Sequence, residues 1–411
     1  MSASHARPRG HSEAHRGAPA GEGTTRKAFW RGWPAAAVLA ALVTVVVCRS
    51  SRPLSAIEFT LLDSMMVLRP ARQPDPHIAL VGVEKGEVGW HKLYPPPDCT
   101  CSAVPRSQLG RTISRLKSAD ARVIVVDLVL GQPCPYGRGT RWAHDGPLVA
   151  ALAEPGETIL AAEAELTPPE VEFGNPAEEF VGKKHPQRIV ASPVVYSPHG
   201  VIRGVSLIQT GTPSDLDRLT ALPLEMVGRI LAPLSLAAYS AYGGNPCELP
   251  EPSGRHRVRC CDVEMPVWCD ASIYLFDPIM PRATESKHVM LINWAGPAGT
   301  FPMYAMSSLR KASAHKLREW FQDKIVLIGS AAERMHTPMT GLGKQAQPPF
   351  VDQSRSRSLS GLEIHANALN TVMQGRFIRP LPTTAVWAIM FGCSLLAALA
   401  FEWFSTWAAV A

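Results

Sequence analysis

The sequence predicts an α/β fold, a mostly parallel sheet flanked by helices, held outside the cytoplasm between transmembrane helices. Three observations predict it. Runs of Val, Ile and Leu recur along residues 50–381 with little polar interruption, as strands buried on both faces require. Helical patterns separate those runs, and such alternation gives helices packed on a parallel sheet. Two uncharged apolar stretches, 33–48 and 383–401, bracket the whole region.

Taken in order, residues 1–32 are rich in Ala, Gly, Ser, His, Pro and Arg and lack apolar periodicity, which predicts a disordered cytoplasmic tail. The stretch WPAAAVLAALVTVVVC at 33–48 lies between Arg31 and Arg49. It is slightly short for a hydrocarbon core of about 30 Å, but arginines can snorkel and tryptophans can sit at the interface. A cleaved signal peptide is the alternative, and no Ala-x-Ala site supports it. Strands are predicted at 77–83, 121–130, 158–163, 201–209, 288–294 and 324–329, and helices at 106–117, 147–152, 312–322 and 362–374. The apolar stretch 222–242 contains Glu225, Arg229 and Pro233, which predicts a buried helix broken near the proline rather than a membrane span. The stretch TTAVWAIMFGCSLLAALAF at 383–401 reads as a second span, and 402–411 as the start of a possible third.

The net charge of +6 over 411 residues comes mostly from the tail, where six basic residues face Glu13 and Glu22. The rest is nearly balanced, so no basic face for nucleic acid is expected. The basic tail stays in the cytoplasm by the positive-inside rule, which places 50–381 outside. Seven of the nine cysteines fall in that region, all in loops: Cys99, Cys101, Cys134, Cys247, Cys260, Cys261 and Cys269. Clustered loop cysteines in an oxidising compartment predict disulfides. A Cys-x-Cys or Cys-Cys metal site is the sharper alternative, but no histidine stands at metal-binding spacing beside those pairs, so no metal and no cofactor is expected.

No nucleophile elbow, phosphate loop, His-Glu-x-x-His helix or dinucleotide fingerprint occurs, so no enzyme activity is expected. Polar residues at predicted strand or helix ends remain as weak ligand-facing candidates: Glu84, Arg106, Asp127, Asn293, His336, Glu363 and His365. Glu363, Asn367 and Asn370 stand at i, i+4 and i+7 on one helical face, whereas His365 turns away from them. A His/Glu metal site there competes with a docking helix whose polar groups cap and hydrogen-bond, and the second is favoured because the motif holds one histidine.

These stretches resemble the CHASE2 family of extracytoplasmic sensor domains in bacterial signalling proteins, from about residue 58 to 382. The most specific is SGLEIHANALNTVMQGRFIRPLP, which carries Glu363, Ile364, His365, Ala366, Asn367 and Asn370. Asp63, PDPHIALVGVE, the Pro105-Arg106 pair, ARVIVVDLVL with Asp127, and KIVLIGSAA followed by Thr337-Pro338 support it. Glu84 stands where the family usually has Asp, HKLYPPPDCTCSAVPR is an insertion bearing Cys99 and Cys101, and a cysteine-rich loop spans 245–270.

The resemblance implies a multi-pass protein of the bacterial inner membrane whose external domain recognises a small-molecule or envelope ligand. Family members commonly continue into further spans and an output domain, and nothing comparable follows Phe401 here. The expectation is therefore a sensor that passes its state to a signalling partner protein. A membrane-tethered exported hydrolase, or an envelope interaction and assembly module, are the competing readings.

Overall fold

A computed structural model describes residues 61–83, 106–128, 146–162, 164–167, 170–173, 188–191, 194–196, 202–207, 233–244, 251–254, 257–267, 289–331, 360–379 and 383–410. The predicted tail 1–32, the stretch 33–48, residues 222–232, and Glu84, Cys99, Cys101, Cys134, Cys247, Cys269 and His336 lie outside these residues. The chain forms two units, Ser55–Pro380 on one hand and Met1–Leu54 with Leu381–Ala411 on the other.

In the first unit, six strands form one sheet in the order β13-β1-β14-β2-β3-β6. They are β1 (Ile78–Val83), β2 (Val123–Asp127), β3 (Glu157–Ala162), β6 (Arg188–Ala191), β13 (Met303–Ala305) and β14 (Ile325–Ser330). Every pairing is parallel. The runs IALVGV and IVLIGS are buried at every position, as continuous apolar runs require of central parallel strands.

The connections decide what covers each face. β1 leads through helix α2 (Arg106–Ser118) to β2, and β2 through α3 (Gly146–Ala153) to β3. β13 leads through α5 (Met306–Lys311) and α6 (Ala314–Phe321) to β14. All three crossovers step the same way across the sheet, so right-handedness puts their helices on the same face. Leu109, Ile113, Leu148, Leu309 and Phe321 of those helices do share one core with Val81, Ile124, Val126, Val326 and Ile328.

The opposite face is left to α4 (Leu234–Gly243) and α7 (Gly361–Met373). Leu362, Ala366 and Leu369 of α7, at i, i+4 and i+7, pack with Ile78, Leu80, Val125 and Leu327. Its other side, Ile364, Ala368 and Val372, packs into a third core with Val205, Val258, Met265, Met290 and Trp294. That core is walled by two antiparallel sheets. One is ordered β12-β8-β7, from β7 (Val194–Tyr196), β8 (Ile202–Ser206) and β12 (Val289–Leu291). The other is ordered β11-β10-β9, from β9 (Glu251–Gly254), β10 (Arg257–Cys260) and β11 (Val263–Pro266). A hairpin, β4 (Ala164–Thr167) with β5 (Glu170–Phe173), completes the strands among the described residues.

The runs predicted at 201–209 and 288–294 thus pair antiparallel in a separate layer, not in the parallel sheet. Apolar continuity reports burial on both faces, and α7 with the surrounding strands supplies that burial as well as a parallel neighbour would. Pro233 stands immediately before α4 as its N-cap, and Leu234, Leu236, Ala237 and Ala238 are buried; the break expected near Pro233 involves residues 222–232, which lie outside the described residues.

The opening helix α1, seen over 61–68, is pinned to β8 by a bidentate ion pair. Arg203 donates through Nε and Nη2 to Asp63 at 2.8 and 2.5 Å, with the guanidinium side chain only 7% exposed. Removing either partner would leave a nearly buried charge uncompensated.

In the second unit, α8 (Thr383–Val410) runs 28 residues without interruption, past the boundary expected at 401, with Glu402 as its only charged residue. Ile389, Phe391, Leu395 and Leu396 are exposed on it. Among the described residues no helix is long and apolar enough to cross a membrane; the side chains of 383, 386, 398, 399 and 401–410 lie outside that description.

Candidate functional site

Helix α7 is built to be buried throughout. Residues 362–372 are all buried, five of them polar: Glu363, His365, Asn367, Asn370 and Thr371. Buried polar groups persist only when hydrogen-bonded. Most of these are consumed in holding the chain around the helix. Ser360 and Glu363 form a capping box: the Ser360 hydroxyl accepts from Glu363 N–H at 3.3 Å, and the Glu363 carboxylate accepts from Ser360 N–H at 3.1 Å.

The second Glu363 oxygen accepts from Gly299 N–H at 2.7 Å. Gly299 sits at φ +84, a left-handed conformation that favours glycine. One turn on, Asn367 accepts from Ala295 N–H at 2.8 Å and donates to Glu363 O at 2.8 Å. Asn370 accepts from Asp75 N–H at 2.8 Å, and the Thr371 hydroxyl accepts from Asn293 N–H at 3.0 Å while donating to Asn367 O. The row Glu363, Asn367, Asn370 and Thr371 therefore fastens the 293–299 segment and the entry to β1.

Asn293, a predicted ligand-facing residue, belongs to this fastening. Its carbonyl accepts from Arg69 Nη1 at 2.7 Å, its amide donates to Arg376 O at 2.6 Å, and Arg69 Nη2 also donates to Trp294 O. Burial, with Arg72 nearby, lowers the pKa of Arg69. Glu363 is likewise fully used as cap and anchor. The hydrogen-bond partners of both are protein groups, so both have a structural role.

His365 faces the other way, as its position between the row residues dictates. Its Nε2 lies 3.8 Å from Asp127 Oδ1, with the side chains 7% and 12% exposed. Asp127 is the last residue of β2 and pairs with Gly329 of β14, next to the buried Ser330. The C-terminal end of a central parallel strand and the first turns of α7 thus bring a carboxylate and an imidazole together. At 3.8 Å the pair attracts electrostatically when His365 is protonated, yet is too long for a direct hydrogen bond. The close approach of α7 explains Gly329: a Cβ there would lie 2.9 Å from Leu362 Cδ1.

Of the other expected residues, Arg106 opens α2 with its side chain outside the description, and Glu84, which directly follows β1, and His336 lie outside it entirely. Cys260 is disulfide-bonded, to a partner beyond the described residues, since Cys261 and Cys393 are both free. Cys261 is thus corrected from the expected disulfide set: it occupies the β10–β11 turn at φ +55, while Cys260 points into the third core. No cluster of metal-ligating side chains occurs among the described residues.

The CHASE2 domain matches residues 38–400, most of the chain. The chain belongs to the CHASE2 family. No curated protein and no solved structure matches it. CHASE2 domains are sensory domains of signalling proteins. The CHASE2 motif helix is α7, and its residues divide by geometry into the fastening row and His365, which meets Asp127.

Proposed function

We propose that this CHASE2 protein is a membrane-anchored extracytoplasmic sensor of the bacterial inner membrane, and that it recognises a small-molecule or envelope ligand at the C-terminal edge of its parallel sheet. The observation that carries this reading is the His365–Asp127 pair, the polar contact of α7 that faces a sheet edge where α/β domains bind ligands. A ligand group inserted between imidazole and carboxylate would bind one position of α7 better than another. Differential affinity of that kind is what any conformational signal requires. The motif helix leads within ten residues into α8, whose exposed Ile389, Phe391, Leu395 and Leu396 support a membrane anchor in this part of the chain. The protein works without chemistry of its own and passes its state to a signalling partner or to further segments of a longer chain. Disulfides among the loop cysteines brace the external domain.

The test is a thermal-shift screen of the full chain in detergent against metabolites, nucleotides and ions. A stabilising compound whose effect disappears in both Asp127→Asn and His365→Gln is expected. A flat screen of folded protein, or a hit indifferent to both substitutions, contradicts the reading.

A further inference from the structure

At the opposite edge of the parallel sheet, where β1 begins, lies a half-open groove of about 380 Å³. It is lined by Asp75, His77, Tyr239, Tyr242, Cys261 and Asp262, with Ser240, Gly243 and Met373 beside them, and among the described residues no Lys or Arg lines it. Its volume is within the range of small-molecule sites.

Its electrostatics have one sign. α4 and α7 both end at this groove, through Gly243 and Met373. A helix C-terminus carries about half a negative charge, and neither helix has a basic residue in its last turn. Asp75 and Asp262 add two carboxylates. The basic side chains nearby already have partners: His77 Nδ1 is bonded to Asp75 at 2.9 Å, and Arg122, outside the lining, donates to Tyr242 O at 2.9 Å and lies 3.5 Å from Asp323. The Arg122 guanidinium also stacks 5.2 Å from the Tyr242 ring centroid, so a cation already rests on one of these aromatic faces. Tyr239 donates its hydroxyl to Asp262 at 3.3 Å. Burial and then Asp262 raise the pKa of Tyr239, and burial and then Asp323 raise that of Tyr242.

We propose that this groove binds a small organic ammonium ion, its charge held by Asp262, Asp75 and the two helix C-termini and its carbon body against the tyrosines. An organic cation fits better than a bare metal ion because the site is wide and aromatic and, among the described residues, brings no set of metal-ligating side chains together. The site is separate from the Asp127–His365 pair and stands or falls without it.

Isothermal titration calorimetry on the full chain in non-ionic detergent tests this, with putrescine, choline and magnesium chloride as the probes. Saturable binding of putrescine or choline is expected, weakened by added sodium chloride. Asp262 is exposed at a turn, so its replacement should leave the fold intact. Asp262→Asn should weaken binding about three- to fivefold, and Asp262→Lys should remove it, whereas Asp127→Asn should leave it unchanged. No binding of either amine to folded protein overturns the proposal. So does affinity unaltered by Asp262→Lys, or displacement of the amine by magnesium at equal concentration.

Discussion

The two faces of the parallel sheet are covered by helices of opposite character. On one face α2, α3, α5 and α6 meet the strands through aliphatic and aromatic side chains. On the other, α7 lies between the sheet and an antiparallel layer and buries five polar residues. The difference teaches what each face does. Crossover helices need only shape and apolar area to seal a sheet. A helix with layers on both sides must also hold passing chain in register, and hydrogen bonds specify position where grease does not.

Substitutions on the two faces should separate these roles. The largest effect belongs to the apolar face. Phe321 is wholly buried, and Phe321→Ala should cost about 3–5 kcal/mol in urea unfolding of the full chain. Next comes the fastening row. Asn367→Ala leaves the Ala295 N–H unpaired in the interior and should cost about 1–3 kcal/mol, with faster hydrogen exchange over 293–299 than in wild type. A loss at Asn367 as large as that at Phe321 would erase the distinction. Ser360→Ala removes the cap of α7 and should cost about 1 kcal/mol in the same assay.

The smallest effect is a pH dependence on the apolar face. Tyr304 stacks on Trp320 with ring centroids 4.5 Å apart, and burial, then Glu319, raises its pKa. The unfolded tyrosine loses its proton first, near pH 10, so above that value the folded state holds more protons and stability falls as pH rises. Melting curves from pH 8 to 11 should show that fall, and Tyr304→Phe should make it shallower, with the remainder carried by Tyr239 and Tyr242.

The sequence exposed this architecture unevenly. Central strands were legible because IALVGV, VIVVD and IVLIGS are buried along nearly their whole length. Pairing direction was not, because burial of 289–291 reads the same between a helix and an antiparallel layer as within a parallel sheet. The edge strand β13 is three partly exposed residues, too short for periodicity, and α5 merges in sequence with α6 although Ala312 is extended between them. At the candidate site, helical spacing separated His365 from Glu363, Asn367 and Asn370. It could not reveal that Asp127 meets His365, which is set by how α7 crosses the sheet. The structural role of Asn293 was not legible, because nothing in the sequence around it indicates that Arg69, Thr371 and Arg376 converge on it. Arg203 was overlooked, yet a lone arginine inside the apolar run 201–209 was a usable signal of a buried ion pair.

The division of α7 into a structural row and a ligand-recognising pair is tested most directly by comparing urea unfolding of two variants. Replacing both partners of a buried pair by apolar groups of the same shape can be nearly neutral, so Asp127→Leu with His365→Phe should unfold within about 0.5 kcal/mol of wild type. Asn367→Ala should fall clearly below it. Equal destabilisation of the two would mean that His365 and Asp127 are one more fastening, and would contradict the account.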